Sequence, residues 1–134
     1  MDPVCDAVPQ TIMARMIEVA AAKNRVDPAL VREVARQESA FQPCAVSSKG
    51  AQGLMQLMPA TQAQFQVGDP FNPEESLTAG TKLLKLLIDR YHGDVSLALS
   101  AYNAGAGRVD RAGGIPEIPE TKNYVASILG RLLP

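Results

Sequence analysis

The longest run of helical periodicity in the chain lies between Pro73 and Tyr91, and it constrains the fold class most strongly. Leu77, Leu84 and Ile88 recur at spacings of seven and four residues, which places them on one face of an α-helix. No stretch of the chain alternates apolar and polar residues convincingly, as a half-buried strand does. The sequence therefore predicts an all-α protein in which this segment is the central helix.

Prolines and aspartates mark where the other predicted helices begin. Asp27 precedes Pro28 as an N-cap followed by a first-turn proline, Asp94 is a second N-cap, and Pro9 suits a helix first turn. The predicted helices are residues 9–24, 28–38, 58–65, 73–91, 95–103 and 119–132, with a short helical turn before Gly113. Short connections between them favour a compact orthogonal helical bundle, and the pattern leaves room for a minor hairpin.

The first predicted helix carries a continuous apolar face, which we expect to pack on the core. Its members recur at helical spacing. They are Ile12, Met13, Met16, Ile17 and Ala20.

Length and composition favour a single domain with a net charge close to zero. The 134 residues are 46% apolar, so we expect a single domain, residues 1–134, with an arm over residues 1–8 and a core over about residues 9–132. A net charge of −1, a pI near 5.8 and scattered Lys and Arg argue against nucleic-acid binding. No run of about 18 apolar residues predicts a membrane span. The first ten residues lack the pattern of a signal peptide, so an exported protein would have lost its targeting segment.

The two cysteines, Cys5 and Cys44, and the single histidine, His92, are too few and too dispersed for a zinc site, and no metal or other cofactor is expected. A disulfide between the cysteines would tie the N-terminal arm to the loop after Glu38. In an oxidising compartment it would stabilise the fold by about 3 to 4 kcal/mol. Two unpaired thiols are the alternative.

Glu38 is placed where folding alone would not favour a carboxylate. In the predicted helix 28–38, Val31, Val34 and Ala35 form an apolar stripe, and Glu38 is the next residue along it. Burial and the negative end of the helix both favour the neutral acid, so we expect a raised pKa for this carboxyl group. Such a group is suited to general acid catalysis, although periodicity alone equally fits a structural glutamate.

Short motifs follow one another in a fixed order from Glu38 to the C-terminal helix. They are ESAF at 38–41, Ser47, GAQGLMQLMP at 50–59, Tyr91 with Gly93 and Asp94, AYNAG at 101–105, GGIP at 113–116, and ET followed by Tyr124 and Val125. Together, over about residues 28 to 130, they resemble the catalytic domain of soluble lytic transglycosylases, relatives of goose-type lysozyme. The resemblance implies a lysozyme-like fold and a peptidoglycan substrate.

The resemblance also implies a reaction in which one carboxylate serves twice. Glu38 would protonate the β-1,4 bond between N-acetylmuramic acid and N-acetylglucosamine, then act as base in forming a 1,6-anhydromuramic acid end. A second carboxylate, as in most glycosidases, is not evident. Glu33 lies on another face of its helix, and turn or capping contexts explain Asp69 and Asp94. The absence of a second carboxylate agrees with the family's use of the substrate's own N-acetyl group to stabilise positive charge at the anomeric carbon.

The substrate-binding residues are implied by matching positions. Ser47 is expected to bond the N-acetyl group, and Gln56 and Met58 to line sugar subsites. Without the resemblance, Ser47 would be interpreted as a turn former and Met58 as a core residue.

A second set of cleft residues follows from the AYNAG motif and the ET pair. Tyr102 is expected to bring its hydroxyl to the catalytic carboxyl of Glu38, with Asn103 in the same cleft and Tyr124 at the cleft wall. Buried tyrosines with satisfied hydroxyls are the alternative interpretation for Tyr102 and Tyr124.

Three functions are compatible with the sequence. The leading one is a lytic transglycosylase that acts on peptidoglycan glycan strands in the periplasm or cell envelope, for wall remodelling or for local opening by a secretion, flagellar or phage apparatus. The others are a muramidase that cleaves the same bond with water, and an inactive glycan-binding module of an envelope-spanning assembly.

Overall fold

The computed structural model describes residues 5–133, which form seven α-helices. They are α1 (Gln10–Asn24), α2 (Pro28–Ser39), α3 (Pro59–Gln64), α4 (Pro73–Arg90), α5 (Val95–Ala104), α6 (Ala106–Ala112) and α7 (Pro119–Leu132). None of them combines the length and hydropathy needed to cross a bilayer. The all-α prediction is confirmed, whereas residues 1–4 of the predicted arm lie outside the described residues.

Two of the predicted helix starts are fixed by aspartate N-caps. Asp27 Oδ1 accepts the Ala29 N–H at 2.8 Å, and Asp94 Oδ1 accepts the Leu97 N–H at 3.1 Å, so both N-caps are confirmed. Pro9 is the residue before the first helix instead of a member of its first turn. The chain divides into two compact units, Met1–Thr81 and Lys82–Pro134, and the expectation of a single domain stays a prediction.

In the first unit, α1 packs against α2 through small and aliphatic side chains. Ile17 and Ala21 of α1, and Val31, Val34 and Ala35 of α2, are all at most 1% exposed. The apolar stripe that leads towards Glu38 is therefore the inner face of α2.

The predicted inner face of α1 is too wide. Met13 and Ile17 are buried, but Ile12 is 51% exposed and Met16 is half-buried, so the assignment of Ile12 to the core-facing stripe is wrong. Ile12 and Met16 each lie one residue before a core position and are rotated from it by about 100°. Together with Val19, which is 46% exposed, they form an outer strip on α1.

The 45–58 loop, which joins α2 to α3, is ordered by its own backbone hydrogen bonds. Two isolated antiparallel bridges pair Val46 with Gln52 and Gln52 with Leu57, and no longer strand forms within residues 5–133. The minor hairpin that the pattern left open is thus reduced to these bridges.

In the second unit, α5 contacts both α6 and α7. Its core contains Leu87 from the last turns of α4, Ala98 and Ala101 from α5, and Val109 from α6. Tyr102 packs against this cluster. The AYNAG motif therefore occupies the C-terminal end of α5, next to buried small residues.

Cys5 and Cys44 form a disulfide bond, with Cα atoms 5.1 Å apart and 39 residues of separation along the chain. The predicted pairing is confirmed. The bond attaches the start of the described chain to the segment that follows α2, and closing a loop of this size contributes about 3 to 4 kcal/mol in the chain-entropy model.

Candidate active site

Glu38 lies in the last turn of α2 and is half-buried, whereas the stripe residues Val31, Val34 and Ala35 are completely buried. The carboxylate therefore sits at the edge of the apolar stripe and keeps access to solvent. A general acid needs this combination, because it must meet a substrate while part of its surroundings stays apolar.

The turn after Glu38 has an unusual backbone. Ala40 and Phe41 have φ values of 51° and 62°, the left-handed region that side chains with a Cβ rarely occupy. The Arg36 guanidinium lies over the Phe41 ring at 5.5 Å and also pairs with Glu33 at 2.9 Å. Backbone strain of this kind concentrates at functional sites, and here it is held by contacts one helical turn before the end of α2.

Ser47 forms a turn within the 45–58 loop. Its Oγ accepts the N–H groups of Lys49 at 3.2 Å and Ala51 at 3.0 Å. A hydroxyl has two acceptor lone pairs and one proton, so the bond left for this group to make with a ligand is a donated one. The turn-former interpretation is correct, and it leaves Ser47 suited to a ligand carbonyl.

Gln56 fastens the same loop from within. Its backbone φ is 52°, and its Nε2 donates to the carbonyls of Ala45 at 3.0 Å and Gly53 at 2.9 Å. Both amide protons are thereby used, and Oε1 is the atom through which this side chain would meet a ligand. The structure thus assigns Gln56 a structural role that the sequence did not predict.

Close packing positions the 45–58 loop. A Cβ on Gly53, whose φ is +84°, would lie 2.0 Å from the Pro70 carbonyl oxygen, and a Cβ on Gly80 would lie 2.5 Å from the Met55 Cβ. Ser76 Oγ accepts the buried Met55 N–H at 3.1 Å. The sequence analysis did not single out Ser76; its four-residue spacing to Gly80 on a predicted helix could have indicated a close approach.

Met58 is 43% exposed and precedes α3, whereas Met55 is completely buried. Of the two methionines, Met55 is the core residue. Met58 is thus available to contact a ligand, and its assignment to a sugar subsite stays a prediction.

The candidate residues of the second unit lie on α5 and α7. Thr121 Oγ1 donates to Asn103 Oδ1 at 2.8 Å, which joins the two helices. Tyr102 is half-buried and Tyr124 is 4% exposed. The structure thus places Asn103 in a helix-to-helix hydrogen bond, while the approach of Tyr102 and Tyr124 to the carboxyl group of Glu38 stays a prediction.

A charged cluster that sequence reasoning missed joins the end of α4 to α6. The Tyr91 hydroxyl donates to Asp110 Oδ1 at 2.9 Å, and Arg90 pairs with the other carboxylate oxygen. The hydrogen bond from Arg90, followed by that from Tyr91, holds the pKa of the Asp110 carboxyl below its usual range. Desolvation, followed by the bond to Asp110, raises the pKa of Tyr91. Residues 5–133 contain no group of three His, Cys, Asp or Glu side chains arranged to hold a metal ion.

Solved structures define the class of fold. The chain is similar to the lytic transglycosylase Slt of Pseudomonas aeruginosa, solved as an inactive mutant, with a TM-score of 0.76 and 28% identity over 86% of this chain and 22% of that one. It is similar to the 70 kDa soluble lytic transglycosylase of Escherichia coli, with a TM-score of 0.75, 26% identity and the same coverage. The predicted lysozyme-like all-α fold is confirmed.

Sequence comparisons then define the family. The model of the transglycosylase SLT domain matches residues 15–125. The chain is 37% identical to a transglycosylase of Enterobacteria phage PRD1 over 84% of this chain and 40% of that protein. It is 39% identical to a putative soluble lytic murein transglycosylase of Haemophilus influenzae over 72% of this chain and 20% of that protein. The chain belongs to the transglycosylase SLT domain family, and it spans less than half the length of these relatives.

Proposed function

We propose that this chain is a lytic transglycosylase that cleaves the β-1,4 bond between N-acetylmuramic acid and N-acetylglucosamine in peptidoglycan. The observation that carries the proposal is the half-buried Glu38 carboxylate at the end of α2, directly before a strained turn, in a chain of the SLT family. The names of relatives, which describe lytic murein transglycosylases, support the same reaction and substrate.

Glu38 would act first as an acid and then as a base. Its proton passes to the glycosidic oxygen as the bond from the anomeric carbon to that oxygen breaks. The carboxylate then takes the proton of the muramic acid 6-hydroxyl, whose oxygen forms the new bond to the anomeric carbon. Glu38 ends protonated, no water is consumed, and the product carries a 1,6-anhydro ring.

The first step needs a carboxyl group that is still protonated near neutral pH. Partial burial disfavours the charged form, and the C-terminal end of a helix repels negative charge. Both conditions hold at Glu38 in the last turn of α2. We therefore expect a raised pKa for this group and loss of activity as the pH rises through that value.

The substrate's N-acetyl group would stabilise positive charge at the anomeric carbon, in place of a second carboxylate. Ser47 would hold that group by donating its hydroxyl proton to the acetyl carbonyl, since both acceptor positions of the hydroxyl are used by backbone N–H groups. Gln56 and Met58 would line adjacent sugar subsites, and Tyr102, Asn103 and Tyr124 would complete the cleft.

Replacing Glu38 tests the mechanism. The Glu38→Gln variant keeps the size of the side chain but loses the acid, and we expect turnover of purified sacculi to fall by at least about 100-fold. Mass spectrometry of the wild-type products should show muramic acid ends lighter by one water than reducing ends. Unchanged turnover in the variant would overturn the assignment of Glu38.

Glu33→Gln is the matched control, because it makes the same change on the same helix. Glu33 pairs with Arg36 and is 6% exposed, so this variant should lose stability and keep its activity. Wild-type products with ordinary reducing ends would instead identify a muramidase. No turnover by the folded wild-type protein would favour the glycan-binding assembly module.

We propose the cell envelope as the place of action. The disulfide between Cys5 and Cys44 fits an oxidising compartment, and relatives include membrane-bound lytic murein transglycosylases. If the protein acts at one place in the wall only, a role in an envelope-spanning assembly would be supported. Localisation of a fluorescent fusion, diffuse or in foci, tests this point.

A further inference from the structure

The outer strip of α1 lines a groove in the first unit. The groove lies between α1 and the first turns of α4, has a volume of about 370 Å³, and has an apolar floor formed by the outer strip, Ile12, Met16 and Val19. Its polar lining residues include Arg15 and Lys23 from α1. Glu74 contributes from the side of α4.

The apolar floor is unexplained by the fold of the chain. Ile12 and Val19 are among the most exposed large aliphatic side chains of the described residues, and they lie on a helix whose opposite face already fills the core. A surface helix normally carries polar residues on its outer face, and a helix that is apolar on both faces is normally covered on both. Leaving these side chains in water forgoes about 25 cal/mol per Å² of apolar area.

The charges around the groove indicate what covers it. Two cations of α1, Arg15 and Lys23, line the groove eight residues apart, and one anion, Glu74, lines it from α4. None of the three takes part in an ion pair within residues 5–133. The groove thus has an excess of positive charge around an apolar floor.

We propose that this groove binds an amphipathic helix of a partner protein, one that carries acidic residues beside an apolar stripe. Residues on α1 at positions 12, 16 and 19 repeat at the four- and three-residue spacing with which one helix packs against another. The acidic residues of the partner would pair with Arg15 and Lys23. The site goes beyond the proposed glycan cleavage and does not depend on it.

Two other occupants fit the groove less well. A flat anionic membrane would not fill a concave floor. A second copy of the chain, packed face to face through this groove, would bring two surfaces of net positive charge together. An acidic helix satisfies both the shape and the charge.

Binding of a designed helical peptide tests the proposal with the full chain. The probe is a fluorescent peptide of about 18 residues, long enough to hold a helix, with leucines at helical spacing and glutamates beside them. A second probe has lysines in place of the glutamates. We expect the acidic probe to bind at least about tenfold more tightly than the basic one, and the Ile12→Ser variant to bind the acidic probe about tenfold more weakly.

Leu86→Ser is the matched control, because Leu86 is 50% exposed against 51% for Ile12 and does not line the groove. It should bind the acidic probe as the wild type does. The double variant Arg15→Glu with Lys23→Glu should reverse the preference towards the basic probe. Since none of these residues lies in the proposed catalytic site, turnover of sacculi should be unchanged in all variants.

Three results would overturn the proposal. Equal affinity for both probes, or equal weakening by Ile12→Ser and Leu86→Ser, would mean that the groove is not a specific docking site. Concentration-dependent dimerisation that Ile12→Ser abolishes, measured by sedimentation, would make a second copy the occupant. Binding to phosphatidylglycerol vesicles that Ile12→Ser abolishes, with no binding of the acidic probe, would make a membrane the occupant.

Discussion

The 45–58 loop and the junction of α4 with α6 are both held in place by a few contacts, but of opposite kinds. The loop depends on steric fit and buried hydrogen bonds, with Gly53 against the Pro70 carbonyl oxygen and Met55 against Ser76. The junction depends on exposed charges, with Arg90 paired to Asp110.

The two regions should respond differently to pH and to salt concentration. Buried packing and neutral hydrogen bonds change little with pH or salt, whereas exposed ion pairs weaken with both. The loop that carries Ser47 and Gln56 uses neutral groups for the contacts seen here, so its geometry should persist where the junction loosens.

The Gly53→Ala variant should have the largest effect on stability. The added Cβ would meet the Pro70 carbonyl oxygen at 2.0 Å on a backbone with φ of +84°, so it combines overpacking with left-handed strain. We expect a loss of about 3 to 5 kcal/mol in the free energy of unfolding, measured by denaturant titration.

Gly50→Ala separates those two causes. Gly50 has a φ of +91°, but a Cβ there would meet no atom within 4 Å, so only the backbone strain applies. Its loss should be about 1 to 2 kcal/mol. If the Gly50 and Gly53 variants lose equal stability, the close approach to Pro70 does not hold the loop.

Ser76→Ala should have an intermediate effect, because it leaves the buried Met55 N–H without the oxygen that accepts it. We expect a loss of about 1 to 3 kcal/mol by denaturant titration. Ser100→Ala is the control: Ser100 is equally buried, but its hydroxyl only donates to the Ser96 carbonyl within α5, at 2.8 Å. A larger loss in the Ser100 variant would contradict the importance of the loop contact.

Helix positions could be predicted because their signals are local. Asp27 and Asp94 cap the next turn by reaching only two or three residues along the chain, and period and caps together place helix ends to within one residue. The width of the buried face of a helix is not determined by local sequence signals. Ile12 was misplaced because how much of α1 is covered depends on which elements pack beside it.

The candidate site was predicted in part for the same reason. Glu38 could be singled out from its helix stripe and the motif around it. The contacts that hold the 45–58 loop could not be predicted. The approach of Gly80 to Met55 and the bond from Met55 to Ser76 join residues more than 20 positions apart. Tyr91 ends the predicted central helix and belongs to one of the motifs, but the bond from its hydroxyl to Asp110, on another helix, could not be predicted.

Asp110→Asn should have the smallest effect, and the effect should depend on pH. The folded pKa of Asp110 is lowered by Arg90, so its contribution to stability is present above the unfolded value of about 3.9 and is lost as the pH falls through the folded value. The melting temperature of the variant should therefore be lower than that of the wild type at neutral pH, and the difference should shrink under strongly acidic conditions and in high salt. Asp89→Asn removes an exposed pair with Lys85 that lies within α4 alone, at 3.0 Å, and should change the melting temperature less. A difference for Asp110→Asn that is the same at neutral and acidic pH would show that charge does not hold α4 to α6, and the contrast between the two regions would fail.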